Sequence, residues 1–132
     1  MLQIGIKGFL EKTVTAQDTA QVMGSGELEV YATPAMIALI EEAAWKSVAP
    51  ALEPGQGTVG TKLEIEHLSA TPVGMRVRCE TELIEMDRRR LVFRADVYDD
   101  KGKIGAGTHE RFLVDNDRFF SKAKQKYQGE NG

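Results

Sequence analysis

The chain carries one strong helical pattern, and the segments that follow it alternate with a period of two. The helical pattern opens at Thr33-Pro34 and runs to about Val48, before Pro50 and Pro54 end it. Threonine is a favoured N-cap, and proline suits the first helical position, where no N–H donor is needed. One long apolar helix beside several strands must be covered by their sheet, because neither element buries its apolar side alone.

Four alternating segments follow the helix and are joined by short turns. They cover residues 58–69, 75–86, 91–98 and 103–114. An alternating segment over residues 2–15 predicts a further strand, and the polar tail over residues 116–127 predicts a helix. Strands linked this closely pair antiparallel, so the pattern predicts an α+β fold with a curled antiparallel sheet wrapped around one long central helix. The alternative is another α+β fold, in which the helix lies across a flat sheet.

The size and charge of the chain narrow its class. A length of 132 residues fits one domain over residues 1–132. A net charge of −3, from 17 basic and 20 acidic residues, argues against a protein that mainly coats nucleic-acid phosphates. No apolar run approaches the ~20 residues that cross a bilayer, and the N-terminus lacks a secretory signal. Cys79 is the only cysteine, which excludes an internal disulfide and favours a cytoplasmic location.

Glu41 is out of place on the predicted helix. At 100° per residue it falls on the same apolar stripe as Ile37, Ile40, Ala44 and Val48. An unpaired carboxylate there would cost on the order of several kcal/mol. Either a partner satisfies Glu41 or the stripe borders a ligand cavity. The structural alternative is a glutamate at a dimer interface, or one that reaches solvent.

His67 shows the same anomaly on a strand, because it shares the inward face with Leu63 and Ile65. A lone inward histidine is more often a hydrogen-bonded core residue than a catalytic one. A carboxylate beside an imidazole can nevertheless poise it as a base near neutral pH. The two anomalies raise the hypothesis that Glu41 and His67 share one pocket, within one chain or across a subunit boundary. His109 is interpreted as structural.

The motif inventory argues against several other chemistries. Two histidines and one cysteine do not make a convincing zinc site. The sequence has no phosphate-loop motif of the type that ends in Gly-Lys-Ser/Thr, and no Gly-x-Ser-x-Gly elbow of a serine hydrolase. Cys79 lies on the apolar face of its strand and is interpreted as a core residue.

Five short motifs occur in a fixed order between Val30 and Phe119. They are Ala32-Thr33-Pro34 followed by Glu41, Thr58-Val59-Gly60-Thr61 followed by His67, Ser69-Ala70-Thr71-Pro72-Val73-Gly74-Met75, Arg89-Arg90-Leu91, and Ile104-Gly105-Ala106-Gly107-Thr108-His109-Glu110-Arg111. In this order and spacing they resemble the hotdog-fold thioesterases of the fluoroacetyl-CoA thioesterase family. The resemblance implies the hotdog fold for this chain.

The resemblance also implies a function and its residues. It implies hydrolysis of a short acyl-CoA thioester to free acid and CoA by a catalytic set of Thr33, Glu41 and His67. The substrate-binding positions that it implies are Gly60, Thr61 and Pro34, with Gly60 allowing the backbone to approach the thioester closely. It further implies active sites at the interface of a homodimer, which can form part of a higher oligomer, and no metal or cofactor beyond the CoA of the substrate. The net charge and the lack of a long apolar run predict neither a nucleic-acid nor a membrane partner.

Two positions depart from the family pattern. Fluoroacetyl-specific members have a lid of phenylalanines before the helix, where this chain has Gly24 and Glu27. We therefore expect a different acyl substrate. The arginine turn Asp87-Arg88-Arg89-Arg90 is interpreted as solvated, or alternatively as a holder of the CoA phosphates. The rival functions are a silent acyl-CoA binding or sensing dimer and a hotdog hydratase.

Overall fold

The computed structural model describes residues 1–128, over which five strands and three helices are formed. The strands are β1 (Lys7–Thr13), β2 (Gln56–His67), β3 (Arg76–Asp87), β4 (Arg90–Asp99) and β5 (Gly102–Asp115). The helices are α1 (Ala20–Met23), α2 (Thr33–Val48) and α3 (Asn116–Gln128), with 3-10 turns at Ala16–Asp18 and Ala49–Ala51. From α2 onwards, the boundaries agree with the sequence prediction to within two residues.

The sheet wraps around α2. Its five strands run antiparallel in the order β1-β3-β4-β5-β2. The helix contacts β3 and β4 and also both edge strands, β1 and β2, which in a flat sheet would be about 19 Å apart at 4.8 Å per strand. One helix reaches both edges only because the sheet curls, so the flat-sheet alternative is wrong.

The core lies between α2 and the concave face of the sheet. The buried residues of the helix are Met36, Leu39, Ile40, Ala43, Ala44 and Val48. They pack against strand residues that include Val77, Cys79, Leu83, Phe93 and Val97. Each fully buried aliphatic or aromatic side chain of this size contributes about 1.5–3 kcal/mol. Cys79 is fully buried, as predicted, and burial raises the pKa of its thiol to about 12.

A glycine sets how closely α2 approaches β1. A Cβ added at Gly8 would lie 2.7 Å from the Ala43 carbonyl oxygen and 2.9 Å from Ser47 Cβ, and would also clash with Thr81 Oγ1. No side chain fits between the strand and the helix at this point. The helix therefore packs directly against the backbone of β1 at Ala43 and Ser47.

β2 is an edge strand with an irregular pairing to β5. Its register shifts between Gly60 and Lys62, so Thr61 is the extra residue of a β-bulge. Residues 55–60 read Gly-Gln-Gly-Thr-Val-Gly, the Gly-x-Gly-x-x-Gly spacing of dinucleotide-binding loops. Here that stretch enters a strand and not a helix, so it lacks the helix N-terminus on which such loops hold a pyrophosphate.

The N-terminal third differs from the sequence prediction. β1 begins at Lys7 and not at residue 2: Leu2 and Ile6 pack against the core from irregular chain, while Ile4 is 59% exposed. The segment between β1 and α2 contains α1, which ends at Gly24 in the left-handed conformation that glycine favours. None of the helices within residues 1–128 is long and apolar enough to span a membrane.

Candidate active site

The first residue of α2 meets the last residue of β2. Thr33 Oγ1 lies 2.8 Å from His67 Nδ1, a hydrogen-bond distance. The prediction that Thr33 is the N-cap is wrong, because Ala32 occupies that position and no side chain caps the helix. The threonine hydroxyl is bonded to the histidine instead. Thr33 is exposed and His67 is half-buried, so this pair is accessible to a small molecule.

His67 has one ring nitrogen left for chemistry. Its Nε2 is buried and has no hydrogen-bond partner among residues 1–128. Burial lowers the pKa of the imidazole below its usual 6.5, and the nearby Ser69 backbone acts in the opposite direction. The ring is therefore mainly neutral at neutral pH, which is the form that accepts a proton. In the tautomer in which Nδ1–H donates to Thr33 Oγ1, the buried, unpartnered Nε2 carries a free lone pair and is a candidate general base.

A cavity of about 340 Å³ adjoins the Thr33–His67 pair. Its walls are α1, the chain that enters α2 and the chain that leaves β2. The lining residues are Ala20, Ser25, Val30, Tyr31, Ala32, Thr33, His67, Leu68, Ser69 and Ala70. The volume lies in the range of roughly 300–1,000 Å³ that is typical of small-molecule sites.

Glu41 lies in a second polar cluster, where its partner is Arg111. Glu41 Oε2 is 3.8 Å from Arg111 Nη1. The arginine side chain is 7% exposed and the glutamate side chain 40% exposed. The structure shows two of the explanations for the position of Glu41 on the apolar stripe: it has a charged partner, and its side chain reaches solvent.

Arg111 is held in place by three hydrogen bonds. Its Nε donates to Thr58 Oγ1 at 2.8 Å, its Nη2 donates to the Thr58 carbonyl at 3.0 Å, and its Nη1 lies 3.1 Å from His109 Nε2. Burial lowers the pKa of Arg111, and the charge of Glu41 opposes this shift. His109 is fully buried, as expected of a structural residue.

Gly60 passes directly over the Glu41–Arg111 cluster. A Cβ at this position would lie 2.5 Å from Glu41 Oε2, 3.2 Å from Arg111 Nη1 and 3.3 Å from His109 Cε1. Both neighbouring charged groups are therefore in van der Waals contact with the bare backbone of β2. Of the other two predicted substrate positions, Thr61 is the bulged residue next to Gly60, whereas Pro34 is exposed in the first turn of α2 next to Thr33.

Within one chain, Glu41 and His67 belong to separate clusters. Thr33 and Glu41 are eight residues apart on α2, about 12 Å along the axis at 1.5 Å per residue. Gly60 and His67 are seven residues apart on β2, about 23 Å at 3.3 Å per residue. The structure thus brings Thr33 together with His67, and Glu41 together with Gly60. Convergence of the acid and the imidazole across a subunit boundary stays a prediction.

Sequence reasoning missed Arg111 as a member of the site. It appeared only as part of a motif, although an arginine two residues from His109 on the same face of a strand is a signal of an inward-facing charge. Its partner Glu41 is seventy residues away in the chain. Only the fold reveals that pairing.

A model of the fluoroacetyl-CoA-specific thioesterase family matches residues 14–117, which include both polar clusters. The chain belongs to this family. Among curated members, the fluoroacetyl-CoA thioesterase of Streptantibioticus cattleyicolor is 42% identical over 98 residues, or 74% of this chain and 70% of that protein.

Solved structures agree with this membership of the fluoroacetyl-CoA-specific thioesterase family. A mutant of a fluoroacetyl-CoA-specific thioesterase in complex with fluoroacetate and CoA is 33% identical, with a TM-score of 0.85 over 89% of this chain and 99% of the other. A hot-dog-like protein of Thermanaerovibrio acidaminovorans is 21% identical, with a TM-score of 0.88 over 97% and 95% of the two chains. The second likeness concerns the fold alone. The predicted hotdog fold is confirmed.

Proposed function

We propose that this chain is a thioesterase that hydrolyses a short acyl-CoA to free acid and CoA. The observation that carries the proposal is the Thr33–His67 pair, whose unpartnered Nε2 belongs to a ring that lines a cavity. Membership of a thioesterase family supports the type of reaction. A related enzyme that was solved with CoA bound supports the class of substrate.

The polar groups provide the steps that thioester hydrolysis needs. The first turn of α2 has no side-chain cap, so its N–H groups and positive dipole end can bind the thioester oxygen as negative charge develops. His67 takes a proton from the attacking water and returns it to the departing CoA sulfur. Glu41 has two possible roles. It either orients the His67 ring and stabilises the positive charge that the ring gains with the proton, or it attacks the carbonyl carbon to form a mixed anhydride that water cleaves. Both routes yield one carboxylic acid and one thiol.

The active site is completed by a second copy of the chain. Glu41 and His67 are too far apart to act on one carbonyl within a single subunit, yet both adjoin the open edge strand β2. Antiparallel pairing of β2 with its copy brings Gly60 of one subunit towards His67 of the partner subunit. Ile37 and Trp45, which are partly exposed on the same side of α2, would be covered by the partner helix.

The exposed charges of Lys62 and Glu64 on β2 favour one register of strand pairing in this dimer. With a two-fold axis through Leu63, Lys62 lies opposite Glu64 of the partner subunit, which gives two symmetric ion pairs. The same register sets His67 opposite Val59 of the partner subunit, one residue from Gly60. An axis through Glu64 would instead place two carboxylates face to face, which is destabilising for directly opposite residues.

A complementation experiment tests the shared site. We expect the Glu41→Gln and His67→Asn variants to be nearly inactive as separate homodimers. After mixing and subunit exchange, about one quarter of wild-type activity should appear, because half of the dimers are mixed and each has one intact site of two. A mixture that stays inactive, although exchange is shown by mass spectrometry, would place both residues in the same subunit's site.

Gly60→Ala should damage catalysis more than folding. The added methyl group would displace Glu41 and Arg111, and a shift of about 1 Å in a catalytic group can lower kcat/KM about 100-fold. The measurement is kcat/KM on the best acyl-CoA, together with the thermal midpoint. Near-normal turnover with an intact fold would show that the close approach of the backbone is not needed.

The nucleotide end of CoA is assigned to a basic cavity beside α3. This cavity of about 330 Å³ is lined by three basic residues, one acidic residue and three apolar ones: Arg89, Arg118, Lys122, Asp115, Leu113, Val114 and Phe119. Phosphates suit the cations, and an adenine suits the aromatic ring. Arg90 does not contribute, because Glu85 and Glu110 hold it at 2.9 and 3.0 Å. The cavity begins two residues after Arg111 on β5, at Leu113, so a pantetheine arm can connect the two places.

A truncated substrate tests this assignment. The double variant Arg118→Ala/Lys122→Ala should raise KM for acyl-CoA about 10-fold, the weight of one lost charged hydrogen bond, and leave KM for the matching acyl-pantetheine unchanged. Lys7→Ala, on the opposite edge strand, is the matched control. An equal change on both substrates would contradict the assignment.

A catalytically silent acyl-CoA sensor is the competing function, since the same cavity could bind without hydrolysis. Release of free thiol over a panel of acyl-CoAs separates the two, because binding and hydration yield no thiol. The panel also identifies the acyl group. Gly24 ends α1 and Glu27 is exposed, so we expect no apolar gate there and no preference for a fluorinated group over acyl groups of similar size.

A further inference from the structure

We propose that His109 is a positioning residue, which acts on the reaction by holding Arg111 against Glu41. The inference rests on the proposed function, because it gives His109 a part in that site. The ring is fully buried. Its Nδ1 lies 2.9 Å from the Lys62 carbonyl oxygen, and its Nε2 lies 3.1 Å from Arg111 Nη1.

These two neighbours determine the protonation of the ring. A carbonyl oxygen only accepts, so Nδ1 must carry the hydrogen that is donated to Lys62. A guanidinium only donates, so Nε2 must offer its lone pair to Arg111. His109 is therefore a neutral Nδ1–H tautomer. Burial and the adjacent Arg111 charge lower the pKa of His109, while the Lys62 carbonyl, Glu41 and Glu110 act in the opposite direction.

His109 supplies the hydrogen bond that Thr58 cannot. Thr58 binds Nε and Nη2 of the guanidinium, which leaves Nη1 to be directed. One hydrogen of Nη1 is taken by His109, and Glu41 lies 3.8 Å from the same nitrogen. Without the imidazole, the planar guanidinium would be held only along its Nε–Nη2 edge by Thr58, and it could tilt about that edge and carry Nη1 away from the carboxylate. A guanidinium fixed at both ends holds the carboxylate in one place.

The second bond of His109 leads to the bulge of β2. Lys62 follows Thr61, the extra residue, and Gly60 on its other side covers Glu41. The His109 ring also stacks on Phe93 at a centroid distance of 6.3 Å and an interplanar angle of 30°, which fixes its plane. The one ring thus ties the bulge, the arginine and the core together.

Two variants of similar size separate the two bonds. In His109→Asn, the amide nitrogen can replace Nδ1 and still donate to Lys62, but Arg111 loses its acceptor. In His109→Gln, the amide oxygen can reach the place of Nε2 and still accept from Arg111. We expect kcat/KM to fall about 10- to 100-fold in the Asn variant, as for other residues that orient a functional group, and to stay close to wild type in the Gln variant.

A double-mutant cycle provides the readout that a structural role would not change. If His109 acts through Arg111, adding His109→Asn to an Arg111→Ala background should cause no further loss of kcat/KM. Losses that multiply, or equal losses in the Asn and Gln variants, would overturn the proposal. Thermal midpoints of all variants show whether each is folded in the assay.

The tautomer can be tested without any substrate. The ¹⁵N spectrum of wild-type protein near neutral pH should show His109 as Nδ1–H with an unprotonated Nε2. A protonated Nε2 or a charged ring would also overturn the proposal, even if every variant unfolded. A wild-type protein that releases no thiol from any acyl-CoA would refute the proposed function, whereas the ¹⁵N result would still report on the His109–Arg111 bond.

Discussion

Replacing His67 with asparagine is expected to lower kcat for acyl-CoA hydrolysis about 10²- to 10⁴-fold, the usual contribution of a general acid–base residue. The asparagine amide can keep a hydrogen bond to Thr33 Oγ1, which the imidazole makes at 2.8 Å. It offers no basic nitrogen in place of Nε2, which is buried and unpartnered within residues 1–128. The variant therefore removes the proposed base while it preserves the contact.

The pH dependence of the wild-type protein gives an independent check on His67. Burial lowers the pKa of this imidazole from 6.5, so the neutral, proton-accepting form persists into mildly acidic solution. Activity should fall only as the pH drops through this lowered pKa, and the acidic limb of kcat/KM should lie below pH 6.5. The His67→Asn variant should lack that limb. An unchanged limb in the variant would assign it to another group.

Glu41→Gln is expected to lower kcat at least about 100-fold, in line with the loss of a catalytic carboxylate. The amide has nearly the same shape and can remain beside Arg111 and under Gly60, so the loss would report on charge and basicity rather than on packing. The measurement is thiol release under saturating acyl-CoA. Turnover near that of wild type would remove Glu41 from the mechanism.

Glu42 provides a matched control on the same helix. Its carboxylate pairs with Lys46 at 2.6 Å in an exposed i,i+4 contact, which contributes only about 0.3–0.5 kcal/mol. Glu42→Gln should therefore leave kcat, KM and the thermal midpoint almost unchanged. A large loss in both variants would indicate that any change of charge on α2 disturbs the fold, and that the Glu41 result is not specific.

Periodicity predicted the elements that carry the site, because α2 and the strands after it bury one continuous face. The same face made Glu41 and His67 conspicuous, since each interrupts an apolar stripe. β1 was predicted too long, because Leu2 and Ile6 pack on the core without forming a strand. Apolar residues at every second position indicate which side chains are buried, and a short irregular segment can bury them in the same way as a strand.

Periodicity and capping preferences do not predict which residues far apart in the chain come into contact. From the residues alone, Thr33 is predicted to cap the helix, and only the family resemblance groups it with His67, to which its hydroxyl is bonded across the fold. Arg111 and Glu41 meet through the β2–β5 pairing and its bulge. The irregular register at Gly60 has no signature in hydrophobic alternation. Such contacts depend on how the elements pack, which propensity and period do not encode.

Because the sulfur of Cys79 is buried, we expect the folded protein not to react with the chromogenic disulfides that are used to detect free thiols. Such reagents react only when a thiolate attacks their disulfide, and a thiol with a pKa of about 12 and no exposed surface supplies almost no thiolate at neutral pH. Colour would then arise from newly liberated CoA alone, so even a slow turnover can be followed continuously at high protein concentration. A fast burst of colour from protein without substrate would indicate unfolded molecules in the preparation.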